Sequence, residues 1–299
     1  MVVRLTEPAM KHISRCFVLS VVLMFSLASR ADAAAPVHQG TGLCHFILHD
    51  YPLPKANEDK INFIIADLLQ RHEETFNFKA DENFHIQIRI FGRFEDYQRF
   101  ALTNHGGLEF ARERLSLTNL AGYYLDRDRE VVTWRQHDPA YLANNILHEC
   151  SHAIMRHQFH TLPIWLDEGC AVYFQFPNFM RNEAALQRLQ DQWLALKLWL
   201  DDGSLPRLRA FLNQTPEDFR ARDVAHAYLV SWSVFQLLMS TPENRRVLNG
   251  MIMEFQKSGP APADCARLLD KAYPGGLVKL EKDWRAWIKQ GAARVLGTR

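Results

Sequence analysis

The chain has 299 residues, 47% hydrophobic and 23% charged, with 35 basic side chains against 34 acidic ones. That length and apolar content support a sizeable core, as one large domain or two closely packed lobes, and exclude a largely disordered chain. A formal net charge of +1 removes the electrostatic basis for nucleic-acid binding, so nucleic acid is not an expected partner.

In chain order, the amino terminus reads as an export signal. Lys11, His12 and Arg15 precede an apolar run over residues 16–28, and Ala31-Asp32-Ala33 supplies small residues around a cleavage point. The run is shorter than the roughly 20 residues that a membrane span needs. Residues 1–33 are therefore expected to be a signal peptide cut after Ala33, leaving a periplasmic or secreted chain with no stable membrane span. An uncleaved anchor is the alternative, and Met10-Lys11 is a more conventional start than Met1. Cleavage would leave 31 basic against 32 acidic side chains, close to neutral. It would also leave four cysteines, Cys44, Cys150, Cys170 and Cys265, an even number in a disulfide-permissive compartment.

Alternation of apolar and polar residues predicts a strand over 44–49, and Asn57 is placed to cap a helix carrying Ile61, Ile64, Ile65, Leu68 and Leu69 on one face. Residues 84–90 alternate strictly and stop at Gly92, a second strand. Short helices are expected over 94–102 and 108–114, then a hairpin formed by residues 122–125, a polar turn and residues 131–134. Residues 138–299 read as mostly helical, and from residue 181 onward nearly all so. Asp138-Pro139 starts one helix; Leu186, Leu189, Trp193, Leu196 and Leu200 stripe another; Asp223 caps a third and Thr241-Pro242 opens a fourth. Leu277, Leu280, Trp284 and Ile288 mark a terminal helix after Gly275-Gly276. The order predicts an α+β chain: a small α/β lobe with a short mixed sheet over 34–137, then a mostly helical lobe over 138–299.

The chemistry concentrates in His148-Glu149-Cys150-Ser151-His152. On a helix, histidines four residues apart project from one face about one turn apart, as two imidazole ligands of one metal must. Glu149 follows His148 on the same side, where a carboxylate can take a proton from a water activated by that metal. A third protein ligand is then required. In the H-E-x-x-H-x-x-G-x-x-H pattern it is a later histidine, but here those positions hold Met155 and Gln158, with His157 and His160 out of register. The other source is Glu168, in Trp165-Leu166-Asp167-Glu168-Gly169-Cys170-Ala171. A carboxylate in so apolar a run is costly to bury without a partner such as a metal. Gly169 costs about 1 kcal/mol in a helix interior, which implies a close approach at that point, most simply by the motif helix.

The pair HECSH and WLDEGCAVYF resembles the gluzincin zinc peptidases, and more narrowly the bacterial peptidase-MA-like proteins, in which H-E-x-x-H is followed by a W-L-x-E-G-x-A segment. The resemblance implies a zincin-like fold in the helical lobe, one Zn2+ per chain held by His148, His152 and Glu168, and Glu149 as general base. It implies a peptide or protein substrate whose backbone pairs with an edge strand along the cleft, for which the hairpin before residue 138 is the candidate. An oxyanion donor is also implied, a tyrosine on a downstream helix; Tyr228 is the match and His226 the alternative. The G-x-M-E-N segment of the aminopeptidase branch is absent, so aminopeptidase specificity is not implied. If the three ligands converge, Cys150 and Cys170 lie on neighbouring helices, and a bridge between them is one expectation, two small buried thiols the other. Two further readings share these residues: a zinc amidase acting on cell-wall peptides, and a non-catalytic envelope binding or assembly protein.

Overall fold

In a computed structural model, the structure describes residues 35–40, 42–103, 121–159, 162–175, 183–221, 223–257 and 264–296. The expected signal peptide over 1–33, the short helix over 108–114 and His160 lie outside the described residues.

Five strands form one mixed sheet in the order β1-β2-β3-β5-β4. These are β1 (Val37–Gln39), β2 (Cys44–His49), β3 (Ile86–Phe91), β4 (Gly122–Leu125) and β5 (Glu130–Trp134). β2, β3 and β5 run parallel, while β1 and β4 pair antiparallel as the two edges. The expected hairpin is β4–β5, and its first strand is indeed an edge of the sheet. β3 begins at Ile86, two residues later than its alternation suggests, because Ile86 is the residue that registers with Cys44 at the start of β2. β1, too short to show a period, has no counterpart in the sequence reading.

Helix α1 (Lys55–Phe76) starts earlier than Asn57. The Pro54 carbonyl accepts from the backbone N–H groups of Asn57 and Glu58, so Pro54 occupies the cap position and Asn57 lies inside the first turn. Helix α2 (Phe94–Thr103) covers the opposite sheet face, where Tyr97 and Ala101 pack with Phe91, Tyr123 and Val132. Helix α3 (Pro139–Phe159) carries the motif and is capped by Asp138, whose Oδ1 accepts from Ala140 N at 2.8 Å. Ile64, Ile65 and Leu68 of α1 and Leu142, Ile146 and Cys150 of α3 join Phe46, Ile88, Ile90 and Val131 of the sheet in one core.

That core continues through α4 (Ile164–Phe174), α5 (Glu183–Asp201), α6 (Leu208–Leu212), α7 (Pro216–Arg220), α8 (Val224–Met239), α9 (Pro242–Lys257), α10 (Cys265–Ala272) and α11 (Gly276–Leu296). The two expected lobes share it, and residues Pro36–Arg299 form one compact unit. Asp223 caps α8 by accepting from Ala225 N and His226 N. Leu277, Leu280, Trp284 and Ile288 of α11 are buried, and the Trp284 indole donates to Ser233 Oγ of α8 at 2.9 Å. Among the described residues no helix is long and apolar enough to cross a membrane.

Gly169 is where α4 meets α8, not the motif helix. A Cβ there would lie 2.7 Å from the Ser231 carbonyl oxygen and 3.2 Å from Phe235 Cβ, so α8 lies against the bare Cα of α4. Backbone cannot yield as a side-chain tip can. Gly169→Ala is therefore expected to lower stability by up to about 2 kcal/mol, overpacking of about 1–3 kcal/mol against a gain of about 1 kcal/mol in helix propensity. Urea unfolding measures this, and an alanine variant more stable than the parent would contradict the close approach.

Candidate metal centre

Helix α3 presents His148 and His152 on one face, their rings 5.0 Å apart and nearly perpendicular. Helix α4 faces them with Glu168, whose Oε2 lies 3.3 Å from His148 Nε2 and 3.5 Å from His152 Nε2. One ligand atom from each of the three side chains lies within 4.8 Å of the other two, so the described residues contain a buried group that could hold a metal ion. No hydrogen bond of acceptable geometry satisfies Glu168 Oε2, although it is buried. An orphaned anionic oxygen between two imidazole nitrogens is the arrangement a cation completes.

The Nε2 atoms are available because each Nδ1 is engaged elsewhere. His152 Nδ1 pairs with Asp167 Oδ1 at 2.9 Å, and His148 Nδ1 with Gln175 Oε1 at 3.1 Å. Acceptors at Nδ1 put the proton there and leave Nε2 as the donor lone pair. Arg156 closes the far side, its Nε and Nη2 donating to Asp167 Oδ2 at 3.1 and 2.8 Å. Asp167, Arg156 and Gln175 were not anticipated from sequence; the one signal available was a second acid beside Glu168 in an apolar run.

Electrostatics follow from burial. Burial opposes ionisation of Glu168, but the imidazoles of His152 and His148 overcome it and hold its carboxyl far below the usual carboxylate range. Burial raises the pKa of Glu149, with His148 and His152 offsetting part of the effect. The raised value suits a group that takes up a proton and later returns it. Burial disfavours charge on His152, yet Asp167 and Glu168 on either side raise its pKa well above the ordinary value.

Tyr228 of α8 also reaches the centre. Its ring lies 6.1 Å from that of His148, and the charge of Glu168 is the main reason its phenol pKa is pushed well up. His226, two residues earlier, packs against Trp199 instead, the ring centres 4.1 Å apart. His157 is paired with Asp81 at 3.0 Å and packs on Phe84, away from the cluster. The motif helix also meets the edge strand: a Cβ on Gly122 of β4 would lie 2.4 Å from Asn145 Oδ1, one turn before Glu149.

The Cys150–Cys170 bridge is not formed, and Cys44, Cys150, Cys170 and Cys265 are all free and buried. The Cys170 thiol lies 3.8 Å from Ser151 Oγ and 3.7 Å from His72 Nε2. His72, from α1, joins Ser151 Oγ through Nε2 and Leu68 O through Nδ1, both at 2.8 Å. This network ties α1, α3 and α4 together behind the ligands.

Comparison with known proteins adds no relative: no protein-family model matches the chain, and no curated protein matches it.

Complete burial pushes the His72 pKa down to about 3, with the bond to Leu68 O opposing. Between pH 6.5 and about 3 the unfolded chain binds a proton there that the folded chain does not, so stability falls as pH drops through that window. His72→Gln removes this dependence. Its stability deficit relative to the parent is expected to shrink by about 2 kcal/mol between pH 7 and pH 5, read by urea unfolding at each pH. A deficit that stays constant would mean that His72 is not a neutral buried imidazole.

Proposed function

We propose that the chain is an exported zinc-dependent peptidase with a zincin-like, gluzincin-type site. The observation that carries this reading is the convergence of His148 Nε2, His152 Nε2 and the unsatisfied Glu168 Oε2 within 4.8 Å. Two imidazole nitrogens and one carboxylate oxygen are the donor set that zinc takes in hydrolytic sites, with a position left over for substrate or water. When bound, zinc supplies Lewis acidity, which polarises a carbonyl and lowers the pKa of water.

The remaining work falls to side chains. Glu149 takes the proton of the attacking water and delivers it to the leaving amine nitrogen, two transfers favoured by its raised pKa. The Tyr228 hydroxyl donates to the oxyanion that develops on the scissile carbonyl. β4, the terminal strand of the sheet order and beside α3 at Gly122 and Asn145, is the candidate to pair with an extended peptide. A peptide or protein is thus the favoured substrate class; an amide of cell-wall peptides uses the same groups.

One observation favours a rival. His152 lies between Asp167 and Glu168, and a protonated imidazole there makes a self-sufficient ion cluster, as in a metal-free binding or assembly protein of the envelope. Metal analysis by mass spectrometry separates the two: about one zinc per purified chain, lost in Glu168→Ala, is the outcome expected for the metal site. No tightly bound metal in the parent supports the rival. Catalysis is tested separately. Glu149→Gln should keep its zinc and lose about 100-fold or more in peptide turnover. Tyr228→Phe should lower kcat by roughly 100-fold with KM little changed, and unchanged turnover would remove Tyr228 from the mechanism.

A further inference from the structure

The two imidazoles of the centre are backed by unequal groups. Asp167, 3% exposed at its side chain, accepts from His152 through one oxygen and from both Nε and Nη2 of Arg156 through the other. His148 has only the neutral amide of Gln175, at 3.1 Å. A carboxylate this deep ionises at a heavy desolvation cost unless it is paired and hydrogen-bonded. The guanidinium meets that need with two donors fixed in one plane, which orients the carboxylate as well as charging it. Arg156 stands one turn beyond His152 on α3, so ligand, carboxylate and guanidinium close a triangle between α3 and α4.

We propose that Arg156 is a positioning residue for the metal: by holding Asp167 it makes His152 the firmly held ligand and leaves His148, on a neutral amide, the weakly held one. The inference rests on the metal-binding reading above. Arg156 touches no substrate and no metal in this scheme, and acts on His152 only through Asp167. Its removal therefore loosens ligand geometry without removing a ligand.

The test is zinc affinity, measured by competition with a chromogenic chelator on the whole mature chain, with folding of each metal-free variant checked by circular dichroism. Arg156→Met is expected to raise the zinc Kd about 10-fold or more, the usual effect of losing a group that orients a ligand. Gln175→Ala is expected to raise it less, and Arg156→Lys, which keeps the charge without the fork, to fall between Arg156→Met and the parent. In an Asp167→Asn background, Arg156→Met should add less than about twofold, since its route to the metal is already broken. The visible absorption of the cobalt-substituted chain should shift in Arg156→Met and stay at the parent position in a purely structural surface variant. If the parent binds zinc and Arg156→Met stays within about twofold of it, or Gln175→Ala costs as much, the ranking is overturned and the metal site stands. A full Arg156→Met effect in the Asp167→Asn background overturns the route through Asp167. A parent that binds no zinc overturns both readings together. Should Arg156→Met fail to fold, Arg156→Lys decides: a Kd equal to the parent's overturns the proposal.

Discussion

An ionised carboxylate buried among apolar side chains must be compensated, and Glu168 is that carboxylate here. Ten of the eleven residues of its helix are buried, so the helix has no solvent face toward which the charge could turn. Compensation comes from the two imidazoles of α3, with the ring of Tyr228 from α8 beside that of His148. The packing of α3 on α4 is thus tied to one oxygen. α8 can close on the other side only because position 169 has no side chain, which makes Gly169 as much a part of the site as the charged residues are.

The polar groups of α4 are dealt to different neighbours by helical geometry. Successive residues turn about 100°, so Asp167 meets His152 and Arg156, Glu168 meets the paired Nε2 atoms, and Cys170 meets Ser151 and His72. A completely buried helix that carries polar residues must find a partner for each of them in a different direction. Rotation or sliding of α4 would break several contacts at once. The centre is held by this geometry whether or not an ion sits in it.

The parts of the fold that the sequence made legible were those governed by local rules. Alternation marked β2 and, strictly, most of β3, Asp138 and Asp223 announced α3 and α8, and the spacing of His148, Glu149 and His152 pointed to the face of α3 that mattered. Local rules fail where a distant group decides. The start of α1 was misread because a proline carbonyl takes the first helical donors, leaving Asn57 no capping role. α4 is buried all round, so no periodicity could say that Gly169 faces α8 and not α3. Asp167, Arg156 and Gln175 belong to the site only through contacts across helices, and a pair such as Arg156 and Asp167 has no spacing rule. Glu168 was legible for the opposite reason, since a carboxylate in an apolar run needs a partner wherever it ends up. β1, α6 and α7 are too short for a period to emerge.

The separation of these groups along the chain adds a consequence for assembly. His152 and Asp167 are 15 residues apart, whereas Arg89 of β3 and Glu130 of β5 are 41 apart. Loop-closure entropy grows with the logarithm of loop length, so joining the two strands costs about 0.9 kcal/mol more than joining the two helices. The sheet needs two such long closures, β2 to β3 and β3 to β5, before its core is sealed. The ligand pair of helices therefore closes at a smaller entropy cost than the parallel strands do, and it is long-range pairings of the latter kind that slow folding.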